Sequence, residues 1–115
     1  MTSQPMRGQQ TLMRIFFGES DRWQGKPLYE ALLQLLRERG IAGATVLRAV
    51  AGYGPSSTIH TANLLRFSTD LPMVLEVVDA TDKIEAVLPE LDQRMGGGLI
   101  TLEKVEVILH RPDRG

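Results

Sequence analysis

Between Gly40 and Gly54 the chain reads as a helix stop, a short turn, a mostly apolar strand and a glycine hinge. The hinge opens into the polar run Pro55-Ser56-Ser57-Thr58-Ile59-His60-Thr61. A strand that closes on glycines leaves its last backbone N–H groups approachable, because no Cβ screens them. A ligand site is expected to begin there. Upstream, Leu12, Met13, Ile15, Phe16 and Phe17 predict a strand over Thr11–Phe17 that Gly18 ends. A charged loop, Glu19 to Gly25, carries the only tryptophan, Trp23. Pro27 suits the first position of a helix, in which Leu28, Leu32, Leu35 and Leu36 recur at i, i+4, i+7 and i+8 before the Gly40 stop.

The second half repeats the alternation. Val46–Ala51 predicts the second strand and Met73–Val78 the third, with Leu64–Ser68 as an added pairing segment or lid between them. A second helix is expected from Asp82, with Glu85 three residues on in capping-box register and Ile84, Val87, Leu88, Leu91 and Met95 as its buried stripe. Pro89 inside it removes a hydrogen bond, so a kink or a distinct first turn is expected. Gly96-Gly97-Gly98 closes the helix. In Leu99–Leu109 the apolar phase shifts, Ile100 and Leu102 against Val105, Val107 and Leu109, which a bulge at Glu103-Lys104 would reconcile. The order β-α-β, long loop, β-α-β is that of an α+β, ferredoxin-like βαββαβ sandwich.

With 115 residues the chain suits one domain, here placed at 11–111 between a disordered tail (1–10) and a short C-terminal tail (112–115). A net charge of −1 provides no general field for nucleic acid or an anionic membrane. The absence of cysteine excludes disulfides, thiolate catalysis and thiolate metal sites. No apolar run approaches the roughly 20 residues of a membrane span, and the first ten residues lack a secretory core, so a soluble cytoplasmic protein is expected.

Two helices can cover one face of a four-stranded antiparallel sheet, and a face that meets water should turn polar at alternate positions. Ile15-Phe16-Phe17, Ala49-Val50-Ala51, Met73-Val74-Leu75 and Val77-Val78 are apolar on both faces. Leaving such a face bare would expose a patch of several hundred Å² or so. Sister subunits, or the Leu64–Phe67 segment, are expected to cover it. Short strands whose inner faces fill a single core remain the plainer alternative.

Gly40-Ile41-Ala42-Gly43-Ala44-Thr45-Val46, closing on Gly52-Tyr53-Gly54, is similar to the strand-two motif of PII signalling proteins. From Arg14 to His110 the chain resembles still more the PII-like domain-of-unknown-function family 190. The matching runs are Gly25–Ala31, Gly40–Gly54, Ser57, Ile59-His60-Thr61, Asp70-Leu71-Pro72 and Gly98–Val107. The resemblance implies a homotrimer whose three sheets face a central axis. It also implies adenine nucleotides bound in clefts between subunits, signalling through the loop after strand two, and phosphates met by that loop's base and a glycine loop before strand four. Residue by residue, the loop base falls on Gly52, Tyr53 and Gly54, the glycine loop on Gly96, Gly97 and Gly98, and the adenine-holding positions on Gly43 and Thr45. The chain departs from the PII pattern in two places. Gly96-Gly97-Gly98-Leu99 lacks the aspartate and lysine of the PII loop, and Pro55-Ser56 stands where PII has arginine and glutamine. His110, Arg111 and Arg114 are a loose basic substitute. Genes of family 190 are associated with fluoride exporters, so a membrane transporter or another regulated protein is a partner the resemblance suggests.

The candidate ligand-binding set is therefore Gly43, Thr45, Gly52, Tyr53, Gly54, Ser56, Ser57, His60, Gly96, Gly97, Gly98 and Lys104. Lys104 and Arg48 are read as lying on neighbouring strands that reach a subunit cleft; solvated edge charges are the alternative. The 52–61 loop offers hydroxyls and N–H groups as an anion nest, against an ordinary flexible connection. No metal site is expected, because no second histidine stands near His60 in sequence. Trp23 could stack on a base or anchor its loop. Glu76, in an otherwise apolar strand, needs a cationic partner, Arg14 or Arg48, and an intersubunit ion pair is expected. The function expected is a trimeric regulator that binds a small anion, an adenine nucleotide above all, with residues 54–63 as the switch. The rival is a small acid–base enzyme using His60 and Glu76. RNA recognition is set aside, since strand three carries no aromatic to stack on a base.

Overall fold

The computed structural model describes residues 5–54, 59–61 and 70–112. Its elements run β1 (Gly8–Gly18), β2 (Arg22–Trp23), β3 (Lys26–Pro27), α1 (Leu28–Glu38), β4 (Thr45–Arg48), β5 (Ala51–Gly52), β6 (His60–Thr61), β7 (Pro72–Asp79), α2 (Thr81–Arg94) and β8 (Leu99–Val107). Four of them form one antiparallel sheet in the order β4-β7-β1-β8. The main elements follow the β-α-β, β-α-β order expected from sequence.

Alternation builds the core. In β1, Met13, Ile15 and Phe17 are buried; opposite them in β7 stand Val77, Leu75 and Met73. Directly paired residues share a face, and this one meets Leu28, Leu32, Leu35 and Leu36 of α1 and Ile84, Val87 and Leu91 of α2. Each such side chain contributes roughly 1.5–3 kcal/mol through burial. Both helical stripes read from sequence are therefore core, with Leu88 and Met95 packed at its margin. Arg39 of the α1 C-cap forks onto Glu90 of α2 (2.8 and 2.6 Å), and that guanidinium holds the Glu90 carboxyl below its usual range.

The other face carries Leu12, Arg14 and Phe16 beside Val78, Glu76 and Val74, all half-buried. It is apolar toward both ends, and its middle is an ion cluster: Arg14 Nε lies 2.9 Å from Glu76 and Nη1 reaches Glu103 of β8. Both carboxylates raise the Arg14 pKa, Glu76 the more. Arg14 is thus the partner expected for Glu76, but within one chain rather than across subunits, because the two are directly opposed in the β1–β7 register.

Helix ends follow local chemistry. Gly40 takes φ +77°, and the N–H groups of Gly40 and Ile41 donate to Arg37 and Leu36, which is the left-handed Schellman stop. The start of α2 departs from expectation. Its N-cap is Ala80, with no side-chain cap bond, and Asp82 falls within the first turn. The buried Asp79 takes over instead, accepting from the Ala80 N–H at 2.7 Å and from the Ala42 N–H at 2.9 Å, while Lys83 lies 3.5 Å away. The helix continues through Pro89.

Three further expectations are corrected. The strand expected from Thr11 begins at Gly8, inside the segment read as a tail, because β8 is long enough to pair with it. No bulge interrupts β8: the register from Gly8↔Val107 to Phe16↔Leu99 is continuous. The phase shift arises because Ile100 and Leu102 share the core-facing side of Ile15 and Met13, whereas Val105 pairs with Gln10 on the open side. The strand expected over 46–51 splits. Ala49 donates to the Pro72 carbonyl at 2.9 Å, β7 starts there, and β5 leaves the sheet to pair with β6. The Leu64–Ser68 segment lies outside the described residues. No helix among the described residues is long and apolar enough to cross a membrane.

Asp79→Ala, which strips two backbone N–H groups of their acceptor, should lower unfolding free energy by about 2–3 kcal/mol in urea denaturation, and Asp79→Asn by less.

Candidate functional site: a cleft at the end of the sheet

β1 ends, and β7 and β8 begin, at one end of the sheet, where the turn after α2 also arrives. A cleft of about 880 Å³ opens there. Phe16, Phe17, Leu28, Pro72, Met73 and Leu99 supply apolar lining. Tyr53 and Gly54 come from the end of the β5–β6 stem, and Gly96, Gly97 and Gly98 from the α2–β8 turn. The loop base and the glycine loop, 42 residues or more apart in sequence, are therefore brought together in one chain.

The glycines divide into two kinds. A Cβ on Gly98, whose φ is +119°, would stand 2.4 Å from the Phe16 carbonyl oxygen; one on Gly52 would stand 2.9 Å from Pro72 Cγ. These two are required by packing, and Gly52 does not line the cleft. Gly54, Gly96 and Gly97 have open space where a Cβ would be, so their backbone can be approached closely. They are the candidate ligand contacts.

Three charged residues of this cleft, Asp21, Arg22 and Asp70, were absent from the sequence-derived set. Asp21 closes the turn after β1: its N–H donates to the Gly18 carbonyl (3.1 Å) and its carboxylate accepts from the Gly18 N–H (3.0 Å). Asp70, also in the lining, accepts from the Ser20 N–H at 3.0 Å. The turn chemistry at Gly18–Asp21 was the signal available. Next to it, Trp23 of β2 packs against the core, with the Arg94 guanidinium 4.4 Å and the Lys26 ammonium 5.7 Å from its ring centre. That is the anchoring role rather than an open stacking platform.

The other predicted residues lie elsewhere. Gly43 and Thr45 border a second groove of about 410 Å³ with Leu12, Glu76 and His110, whose Nδ1 accepts from the Met6 N–H at 2.9 Å. Lys104 is exposed on β8 opposite Thr11. Because β8 and β4 are the two edges of the sheet, Lys104 and Arg48 are not neighbours as expected, and Arg48 is taken by Glu19 at 2.9 Å. His60 pairs through its backbone with Gly52. Ser56 and Ser57 lie outside the described residues. Of the acid–base pair considered from sequence, Glu76 is held by Arg14.

A four-stranded antiparallel sheet with two helices on one face, and a glycine-rimmed cleft at its end, places the chain in the PII-like fold class. Two structures of CPII, a nitrogen regulatory PII-like protein from Thiomonas intermedia, superpose on it. One, bound to ADP and bicarbonate, has a TM-score of 0.58 at 16% identity, over 86% of this chain and 88% of that one. The other, bound to ADP, AMP and bicarbonate, has a TM-score of 0.63 at 12% identity, over 91% and 99%. The divalent ion tolerance protein CutA1 from Ehrlichia chaffeensis is also similar in fold, with a TM-score of 0.57 at 10% identity, over 92% and 87%. By sequence the chain belongs to the family DUF190, described as "Uncharacterized ACR, COG1993", which matches residues 10–107. It is 46% identical over 97 residues to a UPF0166 protein of Aquifex aeolicus, covering 84% of this chain and 91% of that one. To a UPF0166 protein of Methanocaldococcus jannaschii it is 32% identical, covering 84% and 89%.

Gly98→Ala should cost about 1–3 kcal/mol of stability, through the positive φ and the contact with the Phe16 carbonyl. Gly97→Ala should stay within about 0.5 kcal/mol, both measured by chemical denaturation.

Proposed function

We propose that this protein is a cytoplasmic PII-like regulator that assembles as a homotrimer and binds a small anionic ligand, an adenine nucleotide, in clefts between copies. The observation that carries the reading is the cleft that joins Tyr53 and Gly54 to Gly96 and Gly97. Its apolar walls suit a base, and its approachable backbone suits a phosphate. The ADP-bound CPII structures, alike in fold, support the same ligand class here, and their bicarbonate is worth testing beside it.

Assembly is argued from the open face. Phe16 and Leu99 are paired on that face, Leu99 being 55% exposed, and both also line the cleft. A copy laid over the face would therefore add a wall to the cleft. The groove bordered by Gly43 and Thr45 is then the surface a second copy brings to the seam. The segment 54–63 begins in the cleft at Gly54 and includes β6 (His60–Thr61), whose ladder with β5 is only two residue pairs long. Ligand contact at Gly54 would act on that stem, and through it on a partner protein such as a membrane transporter.

Sedimentation and native mass spectrometry should find a trimer of the 12.8 kDa chain, and calorimetry should detect ADP at micromolar to submillimolar levels. Phe16→Glu should shift the protein toward monomer with its circular dichroism retained, and weaken ADP binding at least about tenfold. A monomeric wild-type protein, or no adenine nucleotide bound at millimolar concentration, overturns the proposal.

A further inference from the structure

The cleft offers little positive charge. Among its described lining residues one side chain is cationic, Arg22, and the adjacent residue, Asp21, lines the same cleft. Asp21 Oδ2 accepts from the Gly18 N–H, while Oδ1 lies 3.2 Å from where a Gly18 Cβ would stand. Counting these two alone, the side-chain charges cancel, and Asp70 adds a second carboxylate to the lining. Two further described cations are engaged: Arg48 by Glu19, and Arg94 by the Trp23 ring and the Glu90 carbonyl.

The backbone does not reverse this balance. Helix N-termini attract phosphate, because free N–H groups and the positive end of the dipole point the same way. Here Gly96–Gly98 follow the C-terminus of α2, whose end carries roughly half a negative charge. The backbone at Gly96 and Gly97 can be approached closely, yet it brings no net charge with it.

We infer that the cleft discriminates by phosphate count. It accepts a nucleoside monophosphate anchored by Arg22 and disfavours a nucleoside triphosphate unless a divalent cation offsets the added charge. This rests on the adenine-nucleotide reading above and adds its charge selectivity. A monophosphate near pH 7 carries a charge of about −1.5 to −2, which one guanidinium and uncharged donors can meet. Each further phosphate brings more negative charge toward Asp21, with no second cation among this chain's described lining residues to receive it, and like-charge juxtaposition is costly in a half-closed cleft.

The test is calorimetric titration of the full chain with AMP, ADP and ATP, in buffer with EDTA and again with excess Mg²⁺. Affinity in EDTA should fall from AMP to ATP by about tenfold or more, and Mg²⁺ should narrow the gap. Arg22→Gln should weaken AMP at least about tenfold with the melting temperature unchanged, and Arg22→Lys should restore most of it. Asp21→Asn, which keeps an oxygen for the Gly18 N–H, should strengthen ATP more than AMP. ATP binding as tightly as AMP without metal, or AMP binding indifferent to Arg22→Gln, overturns the inference and leaves the nucleotide reading standing. Failure of all three nucleotides to bind overturns that reading and the inference together.

Discussion

β1 and β7 turn successive side chains to opposite faces of the sheet, and α1 and α2 are sufficient to cover only one of them. The odd-numbered residues from Met13 to Phe17 and from Met73 to Val77 form the core with the helices. Their even-numbered neighbours are left half-buried on the open side. That side is neither a solvated face nor a second core. Leu12, Phe16, Val74 and Val78 make it apolar toward both ends, and Arg14 clamped between Glu76 and Glu103 makes its middle charged. One guanidinium against two carboxylates leaves the cluster a net negative charge. A surface laid over this face must keep the cluster wet or bring a cation to it, because stripping water from an incompletely paired ion is expensive.

The same face runs into the cleft. Phe16 and Leu99 are direct partners at the end of the β1–β8 ladder, and both line it. Gly98 allows the α2–β8 turn to lie against the Phe16 carbonyl, and Gly52 allows the hairpin stem to lie on Pro72. Each close approach fixes one rim. The cleft's width is thus a consequence of backbone packing on the two central strands, and whatever shifts the end of β1 shifts both the cleft and the open face.

How much of this was legible in the sequence depended on whether the signal was local. The leucine stripe of α1, the Gly40 stop and the apolar runs of β1 and β7 are short-range patterns, and each stands where the pattern put it. At the start of α2, Asp82 and Glu85 have capping-box spacing, yet the carboxylate that accepts there is Asp79, bonded by its neighbour Ala80 and by Ala42, far away in sequence. The bulge expected in β8 came from assuming that one strand has one buried face throughout. An edge strand that outruns the helices has no such obligation. Lys104 and Arg48 were paired by strand counting, which cannot foresee that their strands take opposite edges. Tyr53 and Gly54 stand with Gly96–Gly98 in one cleft, whereas Gly52, assigned to the same loop base, does not line it. Asp21 and Arg22 were overlooked because a charged turn beside a tryptophan looks like any solvated connection.

Glycine also shows why residue type alone could not finish the site. Gly52 and Gly98 are required because the neighbouring atoms leave no room; Gly54, Gly96 and Gly97 have room to spare. In sequence the five are indistinguishable. In the fold, the first two shape the rims and the other three leave backbone within reach of a guest. A side chain added at Gly97 would disturb nothing the fold needs, so loss of binding there would report on the guest alone. Among the described residues of this cleft, the chemistry lies mostly in approachable backbone at the negative end of a helix, with one guanidinium beside two carboxylates. Recognition built that way depends on shape and donor direction, and it has little capacity to neutralise a highly charged ligand.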